Sequence, residues 1–437
     1  MIPEAPVASM PQLVPEIAPA LALKLISETA RLLFENGQTT HRVVEDVRLL
    51  GSALGYRVDV YPTWDRITVR LDNPDGDKCP ESLAAPMRAE VEVTPSGVNM
   101  SKVLQTTALI DAVSLGQLAP AKAIEQLKQI EGAPSASTIR FILMAGLGAA
   151  ALAVIFGVTD GLTLSLVFLS ASAGAVFRKI IAHYSKSFLL QPIGAAFLAG
   201  AFGAAVQSLG IDVNLQFVEA CPCMILVPGA HIINASLDLA RNRLNLGIAR
   251  LVYASLIVLM ICLGLFLGLC VGGQTLAQAM GTQSVPIVTD VIAAGVAVAA
   301  FGAFFSMPWR ILIIPVLIGM SAHAMRWSAI EMGYSAPIGV AVACFFAGLV
   351  ATPLAHRLKI PFAALAFASV VSMMPGVFLF RMSSALVEIY MNAEKSAPSI
   401  LPAATAEGIT AMVICLAIAF GVIVPKLAID RYFYENK

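Results

Sequence analysis

The stretch MILVPGAHIINASLDLARNR, Met224 to Arg243, decides how the rest of the chain is read. It is apolar enough to lie in a bilayer, yet it carries Pro228-Gly229 where a spanning helix should run unbroken. Proline removes a backbone donor and crowds the preceding turn, and glycine lets the turn reopen. In hydrocarbon, backbone groups freed in this way persist only beside protein or a water-filled cavity. The residues after the break start a new half-helix, whose N–H groups and positive dipole end suit an anion. Ala230, His231 and Ile232 therefore form a candidate site for a carboxylate, with Asn234 and Asp238 on the following turns.

Composition supports a membrane setting. The 437 residues are 58% hydrophobic and 13% charged, with a mean hydropathy of +0.81, which indicates a multi-span membrane protein. Formal net charge is zero, so no nucleic-acid partner is implied. Residues 1–137 hold 12 Lys/Arg and 17 Asp/Glu, whereas residues 138–437 hold 16 and 11 in more than twice the length. The first part reads as soluble and the second as embedded. The seven cysteines, Cys79 included, read as small buried hydrophobes, and no cofactor or metal is expected. The opening twenty residues have neither a basic n-region nor a continuous apolar core, so no signal peptide is expected there.

A spanning helix needs about 20 mainly apolar residues. Candidate spans fall near 138–157, 162–182, 188–208, 217–240 and 246–271, then near 286–306, 310–325, 336–355, 361–385 and 405–426. With the N-terminal part inside, the cytoplasmic side receives Arg140, Arg178, Lys179, Lys186, Arg241, Arg243, Arg250, Arg310, Arg357, Lys359, Lys426, Arg431 and Lys437. The outside receives only Arg326 and Lys395, with Arg381 inside the ninth span. That asymmetry obeys the positive-inside rule for ten spans with both termini cytoplasmic.

The second half contains its own break, Pro375-Gly376, 147 residues after Pro228-Gly229. PIGAA at 192–196 matches PIGVA at 337–341, and Ala145-Gly146 matches Ala294-Gly295, at offsets of 145 and 149. A five-span unit duplicated once gives copies of opposite orientation, because five is odd. Inverted repeats with interrupted helices at equivalent positions point to a secondary transporter and to its binding site. The equivalent site in the second half is Val377, Phe378 and Leu379, with Arg381 one turn on.

Ionisable groups inside a membrane are costly and are functional candidates by default. Asp238 lies nine residues beyond Gly229, about 13 Å along a helix. It could face a substrate ammonium or carry a proton, or pair with Arg241 or Arg243 at the interface. His231 could titrate near neutral pH or serve in packing. Arg381 could clamp a carboxylate, pair with Asp238, or reach the outer face. His183, His323 and His356 read as interfacial.

In the soluble part, helices are expected at 21–36, after Thr39 or Thr40, near 99–115 and near 119–131. Alternation at Tyr56–Val60, Arg66–Leu71 and Glu90–Val93 predicts half-buried strands, with NPDGDKCP at 73–80 as a turn-rich loop. His41 reads as a solvated helix residue. The fold predicted is a mainly α-helical polytopic membrane protein: a cytoplasmic α+β domain at 1–137, then five-helix modules at 138–272 and 285–430 as a 5+5 inverted repeat.

LLFENGQTTHRVVEDVRLLGSALGY at 32–56, IDAVSLGQLAPAKAIEQLKQI at 110–130 and PGAHIINASLDLARNRLNLGIARL at 228–251 resemble the threonine/serine exporter family, and MMPGVFLFR at 373–381 is similar to its second module. The chain resembles the fused form; in some relatives the modules are separate chains linked to dicarboxylate export. The resemblance implies proton-driven export of small hydroxylated amino acids across the cytoplasmic membrane. It carries over to Pro228, Gly229, Asn234 and Asp238, and to Pro375, Gly376 and Arg381. The implied partners are a small-molecule substrate, protons and the lipid bilayer, with self-association left open. A dicarboxylate such as succinate is the alternative substrate. A membrane-embedded hydrolase fits less well, since neither Gly-x-Ser-x-Gly nor His-Glu-x-x-His occurs.

Overall fold

The computed structural model describes residues 18–72, 87–94, 97–134, 137–185, 187–272, 285–358, 360, 362–391 and 393–434. The loop at 73–80 with Cys79, most of the opening twenty residues, and Lys186, Lys359 and Lys437 lie outside the described residues. The chain falls into two compact units, residues up to Pro95 with Lys102–Ala133, and Ser96–Ser101 with Pro134 onward.

In the smaller unit, α1 (Pro19–Glu35) and α2 (Thr40–Ala53) precede β1 (Arg57–Pro62), β2 (Arg66–Asp72) and β3 (Met87–Glu92). α3 (Met100–Ser114), whose first two residues belong to the larger unit, and α4 (Pro120–Gly132) follow. The strands form one antiparallel sheet in the order β1-β2-β3, with Val60 opposite Val69 and Val69 opposite Ala89. Period-two alternation buries Val58, Val60, Ile67, Val69 and Leu71, while Arg57, Arg66 and Arg70 face out. α1 presents Ala22, Leu25, Ile26, Ala30 and Leu33 and packs on α2, α4, β2 and β3. His41 pairs with Glu45 on its own helix at 3.1 Å.

Among the described residues, Asp46 on α2 is the buried charge of this unit, 5% exposed, with Arg42 at 3.8 Å. Burial pushes its carboxyl up from 3.8 to about 6, against the pull of Arg42 and helped by Glu45 and Asp111. A carboxyl raised on folding adds stability below its unfolded value, and that stability is lost as pH rises through the folded one. Asp46→Asn should therefore gain about 3 kcal/mol locally at neutral pH and less than about 1 kcal/mol near pH 4. Amide exchange of α2 in the full chain, corrected for intrinsic rates, checks this. Equal protection of wild type and variant at both pH values would refute it.

The larger unit is helical. α5 (Thr138–Ile155), α6 (Gly161–Tyr184), α7 (Leu190–Ser208), α10 (Leu244–Val271), α11 (Ile287–Phe304), α12 (Trp309–Glu331), α13 (Ala336–Leu358) and residues 400–433 of α16 (Ala393–Ile429 and the π turn after it) are each long and apolar enough to cross a membrane. Two further stretches pass the same test only as bent pairs. α8 (Leu215–Met224) and α9 (Gly229–Ala240) meet at 51°; Leu365–Met373, which spans α14 (Phe362–Val370) and a 3₁₀ turn, meets the first part of α15 (Gly376–Met391) at 49°. The chain is thus a multi-pass membrane protein with eight to ten candidate spans among the described residues. The ninth and tenth segments differ most from the sequence expectation. α15 runs on to Met391 and α16 starts at Ala393, where hydropathy alone assigns a loop.

Small residues set the helix contacts. A Cβ on Gly268 would fall 2.1 Å from Phe197 O, and one on Gly200 would fall 2.4 Å from Leu265 O, so α7 and α10 touch backbone to backbone. Gly348 against Val422 O and Gly421 against Cys344 bring α13 and α16 together in the same way. Where lipid competes equally well for apolar side chains, such close approach is what holds helices together.

Candidate functional site

The two breaks meet. A Cβ on Gly229 would lie 2.1 Å from Phe367 Cε2 and 2.6 Å from Met374 Cε, and one on Gly376 would lie 2.6 Å from Met224 Cγ. Each half-helix start is therefore seated on the other pair, α9 on α14 and α15 on α8. At the first break the amides of His231 and Ile232 donate to Pro228 O at 3.1 and 3.3 Å, and Gly229 N–H donates to Val227 O. At the second, Leu379 N–H donates to Pro375 O and Gly376 N–H to Met374 O. This corrects the anion site expected from sequence in one respect. His231, Ile232 and Leu379 close onto the proline carbonyls, because proline stops the helix without removing its own acceptor, so their amides are already engaged.

A cavity of about 390 Å³ opens at the first break. Pro228, Gly229, Ala230 and His231 form one wall, and Arg178, Gln191 and Tyr253 supply further polar groups among Phe141, Phe188, Phe304 and Phe305. It lies where α6 ends and α7 begins. The Arg178 guanidinium sits 4.9 Å over Phe304 and 5.6 Å over Phe141, and its Nε has no hydrogen-bond partner among the described residues. His231 stacks edge-on against Tyr253 with centroids 5.0 Å apart. A second cavity, about 450 Å³ between α8, α10 and α15, is lined by Cys223, Met224, Cys262 and Gly376 and is almost wholly apolar. It offers nothing to orient a polar solute, so the first cavity is the candidate site.

The other expected groups are placed differently. Asn234 is buried one turn below His231. Asp238, 2% exposed, is held by Arg250 at 3.1 Å and Arg243 at 3.7 Å, while Arg241 turns instead to Asp430 at 3.3 Å. Asp430 also takes His356 at 2.9 Å and Lys426 at 2.6 Å. Arg381 does not meet Asp238; it lies 3.6 Å from Glu407 on α16. Pro375, Gly376 and Val377 are buried, and Phe378 packs against the core. His323 is not interfacial, as its place near the end of a span had suggested. It is fully buried, with Nδ1 2.9 Å from Asp290 Oδ2 and Nε2 2.7 Å from Ser372 Oγ, because α12 continues to Glu331 and carries it inside the bundle.

Two family models cover this chain, one for a threonine/serine exporter over residues 24–272 and one named "Threonine/Serine exporter, ThrE" over residues 290–428. The chain belongs to the threonine/serine exporter family. A relative within reach of the family's name, the "Threonine/serine exporter" of Corynebacterium glutamicum, is 24% identical over 381 residues, covering 82% of this chain and 74% of that protein. The "Probable succinate transporter subunit YjjP" of Klebsiella aerogenes is 27% identical over 134 residues, covering 30% of this chain and 51% of that protein. No solved structure matches.

For a member of this exporter family, sequence reasoning passed over the roles of four residues that the fold makes prominent. Arg178 was counted among surface cations, although it lies inside a predicted span just after the small residues Gly174 and Ala175 that let helices close around it. Asp290 and His323 also fell inside predicted spans, where the cost of burying a charge was the available signal. Glu219 on α8 is 1% exposed, and its Oε2 has no hydrogen-bond partner among the described residues.

Proposed function

We propose that the chain is a secondary transporter that exports small hydroxylated amino acids of the threonine or serine kind across the cytoplasmic membrane, driven by protons. The observation that carries this reading is the polar, aromatic-walled cavity at the Pro228-Gly229 break, with an arginine whose Nε has no hydrogen-bond partner among the described residues. The substrate carboxylate sits on Arg178 and the positive end of α9, and His231, Gln191 and Tyr253 meet its amine and hydroxyl. His231 is the titratable group inside the cavity, whereas Asp238 is fixed by arginines and holds the hairpin between α9 and α10.

The packing supports a 5+5 inverted repeat. α7 on α10 has its counterpart in α13 on α16, and α5 on α6 in α11 on α12. α6 and α7 flank α8 as α12 and α13 flank α14, and α5 packs against α11 across the centre. The charge distribution supports cytoplasmic termini; on this reading the cavity opens inward, as an exporter must while it loads. The soluble unit at 1–137 is the cytoplasmic domain, and 138–272 and 285–430 are the two modules. On this reading the second break, with Pro375, Gly376, Val377, Phe378 and Arg381, is packed closed in this state and would open outward in the alternate one.

The succinate-named relative supports a second reading, a small dicarboxylate. Efflux from proteoliposomes loaded with labelled threonine, serine or succinate, with and without an imposed proton gradient, separates the two. Arg178→Gln should weaken apparent affinity by about 1.5–3 kcal/mol, roughly ten- to a hundredfold. Unchanged affinity in that variant would remove Arg178 from the site. Succinate moving while threonine stays would transfer the cavity to the dicarboxylate.

A further inference from the structure

Resting on the proton-coupled reading above, we propose that Asp290, His323 and Ser372 form a proton-binding relay that works the second helix break. The three come from three elements and are buried: Asp290 at the start of α11, His323 on α12, and Ser372 in the 3₁₀ turn just before Pro375. Asp290 Oδ2 lies 2.9 Å from His323 Nδ1, and His323 Nε2 lies 2.7 Å from Ser372 Oγ. Arg326 takes the other carboxylate oxygen at 3.1 Å, its side chain 19% exposed. Among the described residues, the charged groups facing His323 are Asp290 from α11 and Arg326 from its own helix. α13 carries its titratable groups, His356 and Arg357, in its last turn, and the turn after α14 contributes only the Ser372 hydroxyl.

The line of hydrogen bonds runs from the helix ends bearing Asp290 and Arg326 to the centre of the bundle, where the second broken helix turns. It lines neither cavity, so it does not read substrate. In the neutral state Asp290 fixes the tautomer: Nδ1–H donates to the carboxylate and Nε2 accepts the Ser372 hydroxyl. A proton taken from the aqueous phase onto Nε2 makes that nitrogen a donor. Ser372 must then accept, and its own O–H swings to a carbonyl of the turn that precedes Pro375. No covalent bond other than N–H is formed, and the same proton leaves when the turn reverts. Asp290 balances the imidazolium, and Arg326 keeps Asp290 ionised and aimed. One protonation therefore reverses a hydrogen bond at the hinge of the second break, which touches Met224 through Gly376 and so reaches the first.

The test is hydrogen exchange over residues 371–379 of the full chain in lipid nanodiscs at about pH 6 and about pH 8, corrected for intrinsic rates. Wild type should show protection that changes between the two, and His323→Gln and Ser372→Ala should show the same protection at both. Ser372→Thr, which keeps the hydroxyl, should retain the change. A wild-type profile indifferent to pH, or a pH response that survives in both His323→Gln and Ser372→Ala, would overturn the relay. In proteoliposomes, stimulation of efflux by an inward proton gradient should be lost in Ser372→Ala and kept in Ser372→Thr; stimulation undiminished in Ser372→Ala would also overturn it. Absence of stimulation in wild type would instead defeat the proton-coupled reading, with the exchange profile still deciding whether the relay switches the break.

Discussion

Gly229→Leu is expected to reduce transport to background while the protein still reaches the membrane. A Cβ at this position would stand 2.1 Å from the ring of Phe367, which is 1% exposed and packed edge-on against Phe305. A leucine adds three more heavy atoms to that collision. Overpacking of this kind typically costs 1–3 kcal/mol, and here the only relief is to drive α9 away from α14 and close the cavity beside Ala230 and His231. Gly376→Ala should also be costly, because its Cβ would meet Met224 Cγ at 2.6 Å, close to that residue's backbone. Gly229→Ala combined with Phe367→Leu should recover part of the flux lost in Gly229→Ala alone. Full efflux in Gly229→Leu proteoliposomes would show that the crossing of the breaks is not needed for transport.

The second large effect is on stability. Asp238→Asn leaves Arg250, 1% exposed, without the carboxylate 3.1 Å away, and leaves Arg243 without its partner too. Removing one member of a buried ion pair costs about 3–5 kcal/mol, most of it from the charge left behind. Thermal unfolding in detergent should therefore shift strongly downward, and Asp238→Asn with Arg250→Met should regain much of the loss. If Asp238→Asn melted like wild type and lost only its response to a proton gradient, Asp238 would be a proton carrier after all.

What could be read from sequence was whatever burial in lipid forces onto composition. The intact spans are legible as apolar runs, and both bent pairs are legible as Pro-Gly inside such runs, since few other signals interrupt a membrane helix. Alternation at Val58–Val60 and Ile67–Leu71 gives the strands directly. Pairing was not legible. Asp238 has two cations shortly after it in sequence, Arg241 and Arg243, yet the strong partner is Arg250 across the turn into α10, and Arg241 leaves for Asp430 at the far end of the chain. Counting cations by loop set Arg178 and Arg250 with surface charges, when helix packing buries the second completely. His323 was missed for a related reason. Its span ended too early, and its partners, Asp290 and Ser372, lie 33 and 49 residues away on other helices.

The crossing of the breaks also bears on how such a protein varies through descent. Gly229 is completed by Phe367 and Met374 from the other half, and Gly376 by Met224 from the first. A larger residue at Gly229 is tolerable only if Phe367 shrinks in the same lineage, so the two positions should change together across relatives. The same holds for Gly376 with Met224. This dependence binds the two halves through shape rather than through the peptide chain between them. A gene split between the modules would then leave two polypeptides that inherit one lock and key, each diverging only as fast as its counterpart permits.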